Sequence, residues 1–158
     1  MKFKLITPDA PEYPAERLLR WEVLSKPYGM PPGSEALPEE MQSMHLVVID
    51  AKRVFGCICF HPESVTSGRI FEMAVSEEYQ GQRFSRKLLH RLEEILIERG
   101  INDVYLYARS EFEDFYARMG YIPQEDAIVQ MGLKQRLMKK VLPLTIAEKD
   151  DVVSKQNS

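Results

Sequence analysis

The spacing of apolar residues divides the chain into alternating strands and helices. Residues 2–6 read as a short first strand. Over residues 12–24 the apolar positions Leu18, Leu19, Trp21, Val23 and Leu24, with Pro14 near the start, predict an amphipathic helix with proline in its opening turn. Three prolines and two glycines across residues 26–33 forbid regular structure and predict a loop. Residues 45–50 and 54–60 are apolar, β-branched runs joined by the polar link Ala51-Lys52-Arg53, the pattern of a hairpin. Residues 69–75 extend this meander by a third strand. The period then changes: Phe84, Leu88, Leu92, Ile95 and Leu96 recur at helical spacing, and Gly100 is a natural stop. A strand over 103–108, a short helix over 111–119 ending at Gly120, and strand-like runs from Tyr121 and from 131 to 144 complete the order. The pattern predicts an α/β or α+β domain, a mixed sheet with helices packed on it, over residues 1–147, and a polar, disordered tail over 148–158.

Composition narrows the functional classes. Hydrophobic residues make up 44% and charged residues 28% of the 158, a globular balance that argues against a wholly disordered chain. The formal net charge of -3 gives no support to a nucleic-acid binder. The apolar run at 46–49 is far too short to span a membrane. The opening MKFKLITPDA lacks the apolar core of a signal peptide, so the expected location is cytoplasmic. Cys57 and Cys59 fall on one face of a strand, where they read as two small buried apolar residues; His61 is the sole further ligand type nearby, and no metal is expected.

The segment with chemical content is FEMAVSEEYQGQRFSRKLL, residues 71–89. A strand ends at Val75, a polar loop follows, and a helix opens near Arg83. The first N–H groups of a helix lack intrahelical partners, and its dipole favours an anion there. Arg83, Arg86 and Lys87 stand in the first turns, whereas Glu93, Glu94 and Glu98 stand in the second half. This is the reverse of what the dipole prefers, at a cost of roughly 0.3–1 kcal/mol per exposed charge. A bound polyanion would reverse that penalty; solvated charges on an outer face are the other reading.

The strand end MAV followed by SEEYQGQ and a helix opening resembles the acetyl-CoA-binding motif of the GNAT superfamily of N-acetyltransferases, Gln/Arg-x-x-Gly-x-Gly/Ala. FYARMGY at 115–121 is similar to the family's second signature, and LRWEVLSKPYGMPPGSE to the opening of a small bacterial-type branch. The resemblance spans most of residues 2–142. It implies an acyl-CoA N-acyltransferase fold: a mostly antiparallel sheet, splayed between its fourth and fifth strands, with helices on both faces. It implies that the strand end Met73, Ala74 and Val75 holds the pantetheine arm, with free backbone groups of Met73 and Val75 pairing with it. Backbone N–H groups of Gln80, Gly81, Gln82, Arg83, Phe84 and Ser85 would hold the pyrophosphate. Arg86 or Lys87 would add charge toward the 3′-phosphoadenosine end, and Phe115 would pack near the pantetheine. Tyr116 would protonate the leaving thiolate. Arg83 departs from the motif, standing where the first glycine belongs, and Ser85 takes the second small position. Tyr107 stands where the branch often has Asn, and Gln135 replaces a histidine.

The implied reaction is direct attack of an amine on the thioester of acetyl-CoA, the acceptor being an amine of a small molecule or a protein. Glu72, a carboxylate between Phe71 and Met73, is the candidate base, with a cross-strand ion pair as its alternative role; Glu22 and Glu35 are further candidates. His45, His61 and His90 have no partners at meaningful spacing. The loop over 26–40, with Glu35, Glu39 and Glu40, falls where the family places acceptor specificity, and an acidic lining suits a cationic amine. A catalytically degenerate relative, acting as a CoA-binding or protein-interaction module, is the rival reading. No nucleic acid or membrane partner is expected, and a homodimer through exposed strands stays open.

Overall fold

The computed structural model describes residues 1–130 and 132–145, and of Gln82 and Asp126 the backbone alone. The elements run β1 (Lys2–Ile6), α1 (Tyr13–Arg20), β2 (Met44–Asp50), β3 (Arg53–Pro62), β4 (Ser67–Val75), α2 (Gln82–Glu98), β5 (Asp103–Arg109), α3 (Glu113–Arg118), β6 (Ile122–Gln130) and β7 (Leu133–Val141). This is the order that the apolar spacing predicts. The expected tail and the boundary after residue 147 lie outside the described residues. No helix among the described residues is long and apolar enough to cross a membrane.

The chain forms two compact units: Met1–His61 with Ile70–Leu92, and Pro62–Arg69 with the described residues from 93 onward. In the first, strands follow the order β1-β2-β3-β4. β1 runs antiparallel to β2, from Lys2↔Ile49 to Ile6↔His45, and β2 runs antiparallel to β3. The hairpin turn is tighter than the expected three-residue link, because Arg53 already belongs to β3. Its two residues, Ala51 and Lys52, take φ 48 and 66, the positive values whose twist matches that of the flanking strands.

β3 is buried from Val54 through Phe60, as a central strand must be. Successive side chains on it point to opposite faces, and the two faces meet different helices. Cys57 packs with Val47, Ala74, Leu19 and Leu24, the last two from α1 and the turn after it. Gly56 faces the other way. A Cβ there would lie 3.0 Å from Leu88 of α2 and 3.6 Å from Val48, so glycine lets that helix approach the sheet. The expected single helix over 12–24 departs from α geometry at Trp21. The wider turn Trp21–Ser25 closes with Lys26 N–H reaching the Trp21 carbonyl, and the Trp21 indole donates to the Met30 carbonyl at 2.9 Å.

In the second unit the order is β4-β5-β7-β6. β4 and β5 pair in parallel over three residues each, Ser67↔Asp103 to Arg69↔Tyr105, whereas β5 pairs antiparallel with β7 over its whole length, Asp103↔Val141 to Arg109↔Gln135. β6 and β7 form the closing hairpin, with Gly132 at φ 75 in its turn.

Candidate active site

The loop between β4 and α2 is anchored from below by aromatic packing. Phe55 of β3, Tyr79 and Phe84 make a trio with ring centroids 4.3, 5.4 and 5.6 Å apart. Ser76 N–H donates to the Phe55 carbonyl at 2.8 Å, and Gln80 Nε2 reaches back to the Val75 carbonyl at 3.4 Å. Gly81 then takes φ +145, with nothing within 4 Å of where a Cβ would stand, and α2 begins at Gln82. Only glycine adopts that conformation readily, so the backbone freedom the loop needs resides at Gly81. Arg83 is exposed and outside the left-handed region, so its position makes no conformational demand for glycine. Arg86 and Lys87 are also exposed, the Lys87 ammonium lying 5.5 Å from the Phe84 ring centroid.

Along β4, Met73 is half-buried, and Ala74 and Val75 are buried. Glu72 breaks the simple alternation expected of a strand. Its φ is +53, a left-handed conformation for a non-glycine residue, and its carboxylate accepts from Arg20 Nε of α1 at 3.4 Å. This ion pair is made with a helix.

Tyr116 sits on α3, a six-residue helix whose C-terminus is closed by backbone bonds. Tyr121 N–H donates to the Tyr116 carbonyl at 3.0 Å and Gly120 N–H to the Ala117 carbonyl at 3.1 Å, with Gly120 at φ +95. This is a Schellman cap, and its usual side-chain contact is the edge-on packing of Tyr116 and Tyr121, 5.8 Å apart. Tyr121 in turn donates to Glu93 at 2.7 Å. Lys140 of β7 donates to both Glu93 oxygens and to the Met119 carbonyl. Glu93 is thus wholly buried and paired, and does not belong with the solvated charges expected on the second half of α2. Tyr116 and Phe115 are both buried, and burial pushes the Tyr116 phenol well above its usual range. In β7, Gln135 is buried and pairs in register with Arg109, with its amide 3.5 Å from Gln130 Oε1.

Beneath α1 lies a polar network that spacing alone does not reveal. Arg20 is wholly buried and donates to Glu16 (3.1 Å), to Glu40 (2.7 and 3.1 Å) and to the Glu35 carbonyl (2.6 Å). His45, expected to lack partners, is also wholly buried. Its Nδ1 lies 2.9 and 3.0 Å from the Glu16 oxygens and 3.4 Å from Cys59 Sγ, and its Nε2 lies 3.0 Å from the Glu40 carbonyl. Burial works to raise the Glu40 carboxyl, but the bonds from Arg20 and Tyr13 outweigh it and hold it down at about 2. Glu16, His45 and Cys59 bring donor atoms within 4.8 Å of one another, but Arg20 donates into the same cluster, so the positive charge there is the protein's own.

The network corrects the reading of the loop over 26–40. Glu35 and Glu40 point inward, Glu35 onto Arg17 and Gly33 N–H, so neither presents an acidic lining to solvent. The one signal in the sequence was the Glu16/Arg20 spacing of four on an otherwise apolar helix face. Exposed carboxylates occur elsewhere: Glu22, Glu77 and Glu78 line a cleft of about 510 Å³ together with Leu19, Val23, Pro27, Ser76 and Gln80, and Arg53 there pairs with Glu78.

Residues 10–142 match the family model described as the acetyltransferase (GNAT) domain. Among known proteins, the chain is 29% identical over 80 residues to the chloroplastic GCN5-related N-acetyltransferase 2 of Arabidopsis thaliana, covering 51% of this chain and 31% of that protein. The chain spans about a third of the length of the curated relatives it matches first. An acyl-CoA N-acyltransferase from Pseudomonas aeruginosa superposes with a TM-score of 0.78 at 17% identity, covering 89% of this chain and 99% of that one. A GNAT family acetyltransferase from Elizabethkingia anophelis, solved with acetyl-CoA bound, superposes with a TM-score of 0.68 at 14% identity, covering 89% and 97%. Identities this low establish the shared fold, and the family match over most of the sequence establishes the rest: the chain belongs to the GNAT acetyltransferase family.

Proposed function

We propose that the chain is an N-acetyltransferase that passes the acetyl group of acetyl-CoA to an amine by direct attack. The observation that carries this reading is the loop opening α2, where Gly81 at φ +145 leaves open space beside exposed Arg83, Arg86 and Lys87. Such a cradle suits a pyrophosphate. Acetyl-CoA supplies the activated acyl group; the chain's own part is to hold it, orient it and move protons. Backbone groups of Met73, Ala74 and Val75 take the pantetheine arm, and N–H groups from Gln80 through Ser85 take the pyrophosphate. Arg83 and Arg86 add charge from the exposed side of the helix, and Phe115 packs on the pantetheine.

Tyr116 is the proposed acid. Its phenol stays protonated across the working pH range because burial raises it, so it is always ready to donate. Glu72 is the proposed base, and it must loosen its bond from Arg20 to take a proton. The acceptor is a cationic amine. The cleft that shares Ser76 and Gln80 with the cofactor loop carries the exposed carboxylates Glu22 and Glu77, which favour positive charge.

Calorimetric titration with acetyl-CoA, with CoA as comparison, tests the cofactor half. CoA release is then followed with a panel of diamines, amino-acid amides and lysine peptides. Binding with release is the expected result. Binding without release from any amine favours a CoA-binding module, and no binding at millimolar ligand overturns the enzyme reading and favours a protein-interaction module.

A further inference from the structure

We propose that His45 is a buried imidazolium that, together with Arg20, fixes the loop over residues 31–43 to α1, so that deprotonating it releases the loop. The inference begins from which atoms can donate. His45 Nε2 lies 3.0 Å from the Glu40 carbonyl, and a carbonyl only accepts, so Nε2 carries a hydrogen. Nδ1 faces both oxygens of Glu16 at 2.9 and 3.0 Å, and Glu16 Oε2 also accepts from Arg20. A carboxylate held by a guanidinium is the ionised form, which leaves Nδ1 to donate as well. An imidazole with hydrogen on both nitrogens carries a positive charge.

Charge balance reaches the same end. Glu16, Glu40, Arg20 and His45 are all buried. With His45 charged, two cations meet two carboxylates; with His45 neutral, one buried carboxylate is left over, which is costly in a low-dielectric interior. The groups that face His45 can be taken element by element. From α1 come Glu16, Arg20 and the Tyr13 ring, edge-on at 5.4 Å. From β3 comes Cys59, its partner in the ladder, with Cys57 on the same face. From the loop comes Glu40, and from β4 Glu72 by way of Arg20. β1 sets the apolar Ile6 opposite. Burial and Arg20 oppose the charge, and the Glu16 bond and carboxylate outweigh them, so the His45 pKa lies above its ordinary value.

Residues 37–43 of the loop lean on these charges, while Arg17 holds Glu35 and Ser43 Oγ lies 3.1 Å from His61 Nδ1. Leu37 N–H donates to the Glu40 carboxylate at 2.6 Å, Ser43 N–H to the Glu40 carbonyl at 3.2 Å, and Tyr13 to Glu40 as well. Glu40 is therefore the residue through which both buried cations grip the loop. A raised pKa means the stabilisation is full below the ordinary histidine value and is lost as pH rises through the folded-state value. The protonation state and the grip on the loop stand independently of the proposed function.

The test uses the full chain without ligand. With 15N-labelled histidine, a long-range 1H–15N spectrum reports both ring nitrogens of each histidine, and His45→Gln assigns the His45 signals. The expected result is two protonated-type nitrogens at pH 7, with a midpoint above 6.5. Hydrogen exchange is followed in parallel. Protection of Leu37 and Ser43 should fall through the same pH interval, tenfold for each pH unit between the His45 midpoint and 6.5, while Leu92 of α2 keeps its protection. A neutral tautomer at pH 7, or loop protection unchanged through the titration, would overturn the inference. The wild-type titration decides the matter even where His45→Gln fails to fold. Neither readout involves acetyl transfer, so an inactive protein and a failed lock are told apart.

Discussion

Replacing Arg20 by methionine removes the hub of the buried network while keeping a long side chain in its place. Three carboxylates lose a donor: Glu16, Glu40 and Glu72. Glu16 keeps His45 beside it, whereas Glu40 stays buried and loses the guanidinium on its carboxylate. The structure sets the size of the effect. The Glu40 carboxyl lies at about 2 in the fold against an ordinary value of 4.5, a difference worth about 3 kcal/mol at neutral pH, to which Arg20 contributes most and Tyr13 and Leu37 N–H add. Removing one partner of a buried pair costs about 3–5 kcal/mol in general, and the two figures agree. A depressed carboxyl contributes its stability in full above 4.5 and loses it as pH falls through 2, so the penalty of the variant must shrink with acid. Urea denaturation of both proteins at pH 7 and pH 3 is the assay. The expected gap is about 3–5 kcal/mol at pH 7 and clearly smaller at pH 3. A gap under about 1 kcal/mol at pH 7 would refute the reasoning, since that is the scale of a surface ion pair. So would a gap equal at the two pH values, which would make Arg20 a packing residue alone.

Tyr116→Phe should lower turnover by about a hundredfold or more while leaving acetyl-CoA affinity in calorimetry nearly intact, because only the donated proton is lost; unchanged turnover removes Tyr116 as the acid. Arg83→Gly should weaken acetyl-CoA binding a few-fold, by about 0.5–1 kcal/mol at low salt and less at high salt, since an exposed cation near a helix N-terminus meets phosphate. Tighter binding would show that the arginine obstructs the loop. Gly81→Ala should cost about 1–3 kcal/mol in thermal unfolding or in cofactor affinity despite the open space around it, because the cost lies in the backbone at φ +145; a variant matching the wild type in both would dismiss that strain.

Much of the fold was legible because the sheet and its helices obey simple periods. β1 and the order of all ten elements follow from apolar spacing, and the family motif pointed to the loop at Gln80–Gly81. What escaped was chemistry that depends on residues distant in sequence. Glu16 and His45 are 29 residues apart and Arg20 and Glu72 are 52 apart, so no local pattern joins them. Glu35 and Glu40 read as a solvated acidic loop because a carboxylate looks the same in sequence whether or not an arginine waits beneath it. Glu93 escaped for the same reason, its partners Tyr121 and Lys140 arriving from a cap and a strand. The positive φ of Glu72 had no herald at all, since neither glycine nor asparagine marks it.

The cap on α3 has a bearing on how this protein could be altered. Six residues are too few for a helix to hold its own shape in water, so the aim of the Tyr116 side chain is decided outside the helix that carries it. Gly120 leaves so little room that an added methyl would press on Lys140 at 3.2 Å. A protein engineer wishing to shift the phenol by a fraction of an ångström would therefore leave α3 alone. Lys140, a strand residue distant in sequence, is the adjusting screw: its length sets how tightly the Met119 carbonyl is drawn in, and with it the pitch of the ring one turn before.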